Sequence, residues 1–365
     1  MKFETSTEQL LPVTALVARF TTTHSNLPVL GSILLMTEGS RLTLRATNLE
    51  CGVEAVLPVK SSSQGTVAVP AHTLVGFLQN ARGKVVSANL AGEVFKVESG
   101  SSSASIKTIP HDDFPLLPRV SANTSFTVKG SDIARAIRSV AHCASLSAVK
   151  PELQSVLLYG EAGKLLLVAT DSFRLAEKTI TLRSGGSVPQ LIFPAKSAAE
   201  FTRVVEGVSG DVEVYYNENQ LSAQIDGVYY TSRLLDGSFP NYRQILPKEF
   251  STEAVTLRED FATALKSLSV FADKFAQVLL AVEPAKKSVT LSSRNPDVGE
   301  QVSQIQATIS GEKVNVSFNG RYLSDGLQAI VGDSIRLCSN GAGKPMLIKD
   351  AGDDSFLYLA MPMNR

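Results

Sequence analysis

Hydrophobic and polar residues alternate in short segments along most of the chain. The alternation is clearest in "RLTLRATN" (41–48), "KLLLVATD" (164–171) and "SVTLSSRN" (288–295). A period of two residues is typical of strands in antiparallel sheets that have one face in the core and the other in solvent. The pattern therefore predicts a protein built largely of antiparallel sheet.

The alternating segments recur at a nearly constant spacing. The same 123-residue interval separates position 46 from 169 and position 169 from 292. A second marker is the passage from a strand pattern into a helix pattern in "VAVPAHTLVGFLQNA", "LIFPAKSAAEFTRVV" and "VSFNGRYLSDGLQAI". Its turning points, Pro70, Pro194 and Asn319, are 124 and 125 residues apart. Because two independent markers keep one period, we predict three copies of one domain.

Each copy also opens with a short strand pattern followed by a helix pattern. The three openings are "KFETSTEQLLPVTALVARF", "SFTVKGSDIARAIRSVAHCA" and "AVTLREDFATALKSLSVFAD". Each domain is thus predicted to hold two helices and many strands, an α+β organisation. The Pro-rich segments "HDDFPLLP" and "DGSFPNYRQILP" follow copies one and two as equivalent connectors. We place the domains at residues 1–121, 122–249 and 250–365.

Basic residues recur on the predicted helices. In the first helix of the second copy, Ile133 and Ile137 predict a packing face, whereas Arg135, Arg138 and His142 fall on another face. Any one such face is ordinarily a solvated helix surface. Recurrence on equivalent elements favours a shared basic surface instead. The residues assigned to it are Arg19, His24, Arg82, Lys84, Arg135, Arg138, Lys196, Arg203, Lys266 and Arg321.

The amino-acid composition excludes some classes of protein but does not indicate a function. The 365 residues include 44% hydrophobic and 19% charged residues, enough for two or three folded domains. Lysine plus arginine equals aspartate plus glutamate at 35 each, so any electrostatic function depends on local placement. No apolar run approaches the roughly 18 residues of a membrane span, and "MKFETSTEQLL" lacks signal-peptide features. We expect a cytoplasmic protein in which Cys51, Cys143 and Cys338 are reduced core residues.

The chain shows little that predicts catalysis. It has no GxxxxGK[ST], GxGxxG, HExxH or GxSxG motif, and its four histidines lack metal-ligand spacing. The neighbours Asp112 and Asp113, and the separate Asp171 and Asp236, are explained as turn residues. We therefore predict a protein that is not an enzyme and uses no cofactor or metal. A hydrolase acting through Asp171 and Asp236 is the alternative.

The order of several motifs resembles the bacterial DNA polymerase III beta subunit, the family of sliding clamps. The motifs run through the whole chain, from "NLPVLGSILL" and "ATNLE" through "TIPHDDFP", "VATDSFRLA" and "SRLLDGSFPNYRQILP" to "YLAMPM". The resemblance implies three DNA-clamp domains, each with antiparallel sheets outside and two helices inside. It also implies a ring formed by a head-to-tail homodimer. Twelve helices at about 10 Å each would enclose a hole of about 30 Å, wide enough for a DNA duplex.

The resemblance also implies a function and partners. The chain would be a non-catalytic processivity factor that encircles double-stranded DNA independently of sequence, with Lys and Arg near the phosphates. It would bind the DNA polymerase III alpha subunit, the clamp loader, and other polymerases and repair proteins that carry clamp-binding peptides, and it would not bind membranes. A peptide-binding scaffold that does not hold DNA is a second alternative.

Residue-by-residue matching also implies a hydrophobic groove for partner peptides. The groove would use Leu153, Thr170, Ser172, Phe173, Arg174, Leu175, Pro240, Gln244, Ile245, Tyr322, Met361, Pro362 and Met363. Relatives often carry Gly-His where this chain has Ser172 and Phe173, and often arginine where it has Gln244. These departures bear on peptide preference rather than on the location of the groove. The alternative is that these side chains only pack a seam between domains.

A dimer contact is implied by three further positions. Val270 and Phe271 match an apolar pair of the family, and Ile106 matches the facing edge strand. The segment "SGSSSASI" lacks the arginines familiar in relatives. We therefore expect an apolar dimer contact that depends little on salt.

Overall fold

The computed structural model describes residues 1–23, 26–120 and 124–363. Each predicted copy has two helices in this part of the chain. The helices are α1 (Thr7–Ala18), α2 (Ala71–Asn80), α3 (Gly130–Ala141), α4 (Ala195–Val205), α5 (Arg258–Leu268) and α6 (Gly320–Leu327). Short 3-10 helices cover Pro28–Gly31, Pro151–Gln154, Tyr242–Gln244, Ser269–Phe271 and Pro284–Lys286.

Strands make up most of the remaining structure. The first copy has β1 (Lys2–Ser6), β2 (Ser32–Glu38), β3 (Arg41–Thr47), β4 (Cys51–Pro58), β5 (Lys60–Ser63), β6 (Gly65–Pro70), β7 (Val85–Ala91), β8 (Val94–Ser99) and β9 (Ser102–Lys107). The second has β10 (Ser125–Lys129), β11 (Ser155–Glu161), β12 (Lys164–Thr170), β13 (Arg174–Thr181), β14 (Val188–Pro194), β15 (Asp211–Tyr216), β16 (Gln220–Ile225) and β17 (Val228–Arg233). The third has β18 (Thr252–Leu257), β19 (Gln277–Glu283), β20 (Ser288–Asn295), β21 (Gly299–Gln306), β22 (Thr308–Gly311), β23 (Val314–Asn319), β24 (Ser334–Ser339), β25 (Met346–Asp350) and β26 (Phe356–Ala360).

The chain forms two compact units. The first contains Met1–Ala134, Arg183–Gly185 and Lys196–Asp236; the second contains Arg135–Leu182, Gly186–Ala195 and Gly237–Arg365. The units differ from the sequence copies because each has a large sheet that takes strands from two neighbouring copies. The copies are thus joined through continuous backbone hydrogen bonding.

Two sheets form the first unit. One has the order β5-β1-β7-β8-β9, and the other has the order β10-β15-β16-β17-β4-β3-β2-β6. The pairing of β17 with β4, from Val228↔Ala55 to Ser232↔Cys51, joins the second copy to the first. In the core beside this sheet, the ring of Tyr230 lies 5.9 Å from the ring of Phe20, and its hydroxyl donates to the Ser197 carbonyl at 2.9 Å.

The second unit repeats this arrangement with different strands. Its large sheet has the order β14-β11-β12-β13-β26-β25-β24-β18-β22, and its smaller sheet has the order β21-β20-β19-β23. The pairing of β13 with β26 joins the second copy to the third, and Leu175 lies opposite Leu359. Helix α6 packs directly on the buried ring of Tyr358, since a Cβ at Gly326 would lie 2.6 Å from its Cδ1. The named strands pair antiparallel throughout, which confirms the prediction from alternation.

The junctions between strands and helices fall where the sequence places them. Strands β6, β14 and β23 end at Pro70, Pro194 and Asn319, and a helix begins at the next residue in each case. Proline cannot donate to the strand ladder, so it ends the pairing of β6 and β14. Asn319 ends the third strand differently, because its side-chain oxygen accepts the Arg321 backbone N–H at 2.9 Å and caps α6.

Candidate functional site

A cavity of about 530 Å³ opens in the second unit beside residues 361–363, which we call the C-terminal segment. It is lined by Phe173, Lys274, Phe275, Ala276, Asn319, Arg321, Tyr322, Met361, Pro362 and Met363. Five of the predicted groove residues meet here: Phe173, Tyr322, Met361, Pro362 and Met363. We call this cavity the C-terminal groove.

The C-terminal segment is held in place by backbone hydrogen bonds. Met361 N donates to the Phe173 carbonyl at 2.9 Å, and Met363 N donates to the Ser317 carbonyl at 2.8 Å. The segment thus connects the end of the large sheet to β23 in the smaller sheet. Its half-buried methionines combine an ordered backbone with adaptable side chains.

A tight turn between β12 and β13 forms one wall of the groove. The Thr170 hydroxyl donates to the Arg174 carbonyl at 2.7 Å and accepts from Ser172 N at 3.1 Å. Asp171 Oδ1 accepts the backbone N–H groups of Phe173 and Arg174, which makes Asp171 a turn residue. Ser172 has a φ of +77°, a conformation that glycine adopts without steric cost. This turn presents Phe173 with 62% of its surface exposed.

The same turn occurs 123 residues earlier in the first copy. The Thr47 hydroxyl donates to the Cys51 carbonyl at 2.9 Å and accepts from Leu49 N at 3.0 Å. Leu49 has a φ of +75°, close to that of Ser172. The turn is therefore a property of the repeat. What distinguishes the second copy is Arg174 at the position equivalent to Cys51.

Arg174 lies at the centre of a polar network behind the groove. Its Nε donates to Asp171 Oδ2 at 2.9 Å, its Nη1 to Asp325 Oδ2 at 2.6 Å and its Nη2 to the His142 carbonyl at 2.8 Å. Its guanidinium carbon also lies 4.5 Å from the ring centre of Tyr322. Only 13% of the side chain is exposed. Arg174 thus connects the turn, helix α6 and the residue that follows α3.

His142 is placed differently from the sequence assignment to a basic face. Its ring stacks on the Tyr358 ring at 6.1 Å, and its buried Nε2 has no hydrogen-bond partner within the described residues. Burial lowers the pKa of His142, and the nearby positive charge of Arg174 lowers it further. The assignment was wrong because α3 ends at Ala141, so the helical period does not extend to residue 142.

The other predicted groove residues lie outside this cavity. Leu153 and Leu175 are buried in the core. Pro240 lines a separate cavity of about 330 Å³. Gln244 and Ile245, which follow Pro240 in the chain, are exposed. Four residues that line the cavity were not assigned to any site from the sequence: Lys274, Phe275, Ala276 and Asn319. Asn319 was identified from the sequence only as the junction between a strand and a helix. For the other three, the sequence offered one sign of a binding surface, the cation Lys274 directly before the aromatic residue Phe275.

The predicted basic residues are exposed wherever the structure describes them, and His24 lies outside the described residues. In the first unit, Arg19 Nε and Nη2 donate to both carboxylate oxygens of Glu200, at 2.7 and 2.9 Å. Arg203 Nε lies 3.7 Å from the same carboxylate. Glu200 therefore joins α1 to α4 and offsets part of their positive charge. In the second unit, Arg321 also lines the C-terminal groove.

The predicted dimer residues lie near exposed sheet edges. Ile106 is buried within its own unit and belongs to β9, the last strand of the five-stranded sheet. Val270 is 69% exposed in the 3-10 helix Ser269–Phe271, which follows α5. Strand β21 forms an edge of the four-stranded sheet in the second unit. Such edges can accept a strand from another chain.

Within the part of the chain that the structure describes, no helix has both the length and the apolar character to cross a membrane. The same residues contain no group of three His, Cys, Asp or Glu side chains arranged to hold a metal ion. All three cysteines are buried free thiols, as expected from the sequence.

Comparison with known proteins identifies the family. Models of the N-terminal, central and C-terminal domains of the DNA polymerase III beta subunit match residues 1–118, 127–241 and 243–364. The beta sliding clamp of Staphylococcus aureus is 26% identical over 351 residues, with 93% of each chain covered.

Solved structures agree with these matches. The sliding clamp of Pseudomonas aeruginosa bound to griselimycin has 26% sequence identity and a TM-score of 0.94, with 100% of both chains covered. The sliding clamp of Bacillus subtilis has 24% identity and a TM-score of 0.94 over 100% of this chain and 99% of that one, a likeness of fold. The chain therefore belongs to the family of the DNA polymerase III beta subunit, the three-domain sliding clamps that serve DNA polymerase as a non-catalytic processivity factor.

Proposed function

We propose that this chain closes with a second copy into a head-to-tail ring around duplex DNA and holds partner proteins at the C-terminal groove. One observation carries the groove proposal. Two backbone hydrogen bonds fix Met361 and Met363, whereas the neighbouring Phe173 ring is largely exposed. A formed cavity that is lined mostly by apolar and aromatic residues, among them adaptable methionines, is suited to several peptides in turn.

DNA binding is proposed from the exposed basic residues on or beside the helices. Arg135 and Arg138 lie on α3, Lys196 and Arg203 on α4, and Lys266 on α5. Exposed Lys and Arg side chains attract phosphates without reading bases, and such contacts weaken with salt. Retention then depends on encirclement, so the contacts can stay weak enough for sliding.

The proposal extends to domains, partners and location. We assign domains to residues 1–121, 122–249 and 250–365, with helix pairs α1 and α2, α3 and α4, and α5 and α6. The proposed groove partners are the DNA polymerase III alpha subunit, the clamp loader, and other polymerases and repair proteins with clamp-binding peptides. The protein would act in the cytoplasm.

Griselimycin offers a direct test of the groove. The Pseudomonas aeruginosa clamp binds this compound, and we propose that the present chain binds it in the C-terminal groove. The test variant is the double substitution M361S/M363S, which keeps the backbone hydrogen bonds but removes two apolar side chains. The control is L146S, because Leu146 is an almost fully exposed apolar residue of the same unit that does not line the cavity.

Isothermal titration of griselimycin would measure binding to all three proteins. The groove proposal predicts that M361S/M363S weakens binding by about tenfold or more, as expected for losing central apolar contacts, while L146S binds like the wild type. Equal affinity for all three proteins would contradict a site at this groove.

A further inference from the structure

A second cavity, of about 180 Å³, lies in the first unit beside the turn between β3 and β4. The turn lines it with Leu49 and Glu50, the connector that follows β9 with Pro115 and Leu116, and the end of β17 with Arg233. We call this cavity the first-unit pocket. All of its lining residues belong to the first unit, so it is separate from the C-terminal groove of the second unit.

The first-unit pocket is the repeat counterpart of the C-terminal groove. Arg233 N donates to the Glu50 carbonyl at 2.8 Å, as Met361 N donates to the Phe173 carbonyl at 2.9 Å. The strand pairings around these bonds also correspond, since β17 pairs with β4 as β26 pairs with β13. Arg233 therefore occupies the place of Met361, and Glu50 that of Phe173. The pocket keeps the frame of the groove but has charged walls where the groove has apolar ones.

These two charged walls have no partner in the described part of the chain. Glu50 and Arg233 are exposed, and neither side chain forms an ion pair or a hydrogen bond there, with each other or with another residue. Gln220, which pairs with Arg233 across β16 and β17, also lines the pocket, and its Oε1 accepts the Thr231 hydroxyl at 3.0 Å. Its amide N–H groups remain as further donors. The pocket thus presents an anionic acceptor from one wall and donors from the other.

Leu116 gives the pocket an exposed apolar wall. It is 86% exposed although the connector directly after it is fixed. Leu117 packs against Gly52, where an added side chain would clash with it, and the Tyr229 hydroxyl donates to the Pro118 carbonyl at 2.8 Å. A partner can therefore cover this apolar surface without first ordering the chain that carries it.

The size of the pocket limits what can enter it. A volume of about 180 Å³ is below the roughly 300–1,000 Å³ of ordinary small-molecule sites, so one side chain fits rather than a whole ligand. Leu116 and Leu49, which is 45% exposed, supply apolar contacts for that side chain. We propose that the first-unit pocket is a second docking site for partner proteins. It takes one aliphatic side chain from a segment that also presents a basic residue to Glu50 and an acidic residue to Arg233.

Matched peptides test this docking site. Three decapeptides of glycine and serine would carry the cores Lys-Ser-Leu-Ser-Glu, Gln-Ser-Leu-Ser-Gln and Lys-Ser-Ala-Ser-Glu. In an extended peptide the three variable side chains of each core lie on one face. NMR signals of the peptides, followed as the full chain is added, would give dissociation constants into the millimolar range. The same titrations on M361S/M363S would separate this pocket from the C-terminal groove.

The wild type should bind the charged leucine core several-fold more tightly than the neutral one, since each exposed charge pair contributes up to about fivefold in affinity. The alanine core should bind about tenfold more weakly, because less apolar surface is buried. E50Q and R233Q should each reduce the preference for charge, and the double variant should bring it to about one. The controls E38Q and R41Q change exposed residues at the opposite end of β3 and should keep the preference.

The apolar wall is tested by L116S, whose position is too exposed for the change to disturb the core. L116S should weaken binding of both leucine cores, whereas L146S, at an exposed leucine of the second unit, should not. M361S/M363S should bind all three peptides like the wild type.

Several results would overturn the assignment. A preference for the charged core that persists in the double variant E50Q/R233Q would reject the two charged walls. Equal affinity for the leucine and alanine cores, or no binding of any peptide, would reject insertion of an aliphatic side chain. Loss of peptide binding in M361S/M363S would place the peptides in the C-terminal groove, which would reject the first-unit pocket and leave the proposed groove in place.

Discussion

Arg174 Nη1 and Asp325 Oδ2 lie 2.6 Å apart, and this ion pair connects the turn between β12 and β13 to helix α6. The two residues are 151 positions apart in the chain, so the contact is made only in the folded second unit. Because Arg174 also binds Asp171 and the His142 carbonyl, it stabilises three segments at once.

Replacing Arg174 should destabilise the protein strongly. R174A leaves the Asp171 carboxylate and the His142 carbonyl without their largely buried partner, so we expect the melting temperature to fall by about 5–10 °C. The matched control is R243A, whose side chain is 53% exposed and pairs with Glu161 at the surface. R243A should lower the melting temperature by less than about 3 °C. Similar losses for both variants in a thermal scan would contradict the central role of Arg174.

His142 should make stability depend on pH. Its pKa in the folded protein is lowered from 6.5 by burial and by Arg174, so the folded state disfavours the protonated ring. Below about pH 6.5 the unfolded chain therefore binds more protons than the folded chain, and stability is lost as the pH falls. The variant H142F keeps a ring against Tyr358 but cannot titrate.

Melting temperatures between about pH 5 and pH 7.5 test this account. H142F should lose less stability at acid pH than the wild type. The control is H72Q, since His72 is exposed on α2. An acid-induced loss that is unchanged in H142F would exclude His142 as its source.

Glu200 should weaken the attraction between this chain and DNA. The variant E200Q removes the carboxylate that pairs with Arg19 and lies near Arg203, so two arginines become available to phosphates. We expect binding of linear duplex to tighten by about threefold at low salt, with a steeper salt dependence. E213Q is the control, because the Glu213 carboxylate accepts hydrogen bonds from the Ser125 and Tyr215 hydroxyls at the surface of the same unit. No difference between E200Q and E213Q in anisotropy titrations would argue against arginines of α1 and α4 facing DNA.

The dissociation constant of the proposed dimer should depend little on salt concentration. Val270 is an exposed apolar residue, and the segment of 99–106 carries no arginine. Apolar contacts are not screened by ions, so the dissociation constant from sedimentation should change by less than about threefold between about 0.1 M and 1 M NaCl. V270D should weaken the dimer, whereas V149D, at another exposed valine, should not. A dissociation constant that rises steeply with salt would contradict this interface.

Local pattern predicted much of the fold. The alternating segments became β3, β12 and β20, and helices begin directly after Pro70, Pro194 and Asn319. Ile133 and Ile137 are buried while Arg135 and Arg138 are exposed, as their helical spacing predicts. These features depend on residues only a few positions apart in the chain, so local sequence patterns are enough to predict them.

Contacts between distant segments could not be predicted in this way. Arg19 and Glu200 are 181 positions apart, so periodicity gave no sign that a predicted DNA-facing arginine is paired. The groove likewise combines distant segments: the pairing of β13 with β26 brings Phe173 to the C-terminal segment. The hydrogen bond from Met363 N to Ser317 brings that segment to β23, which pairs with β19 directly after Lys274 and Phe275. His142 was misplaced for a local reason, since helical spacing was extended one residue beyond the end of α3.

The most direct test of the account is retention on circular DNA. A matching clamp loader would place the purified protein on a nicked circle, and a restriction enzyme would then cut the circle once. A ring that encircles DNA should stay on the intact circle through gel filtration and slide off after linearisation. Equal retention on both forms would mean ordinary surface attachment and would contradict encirclement.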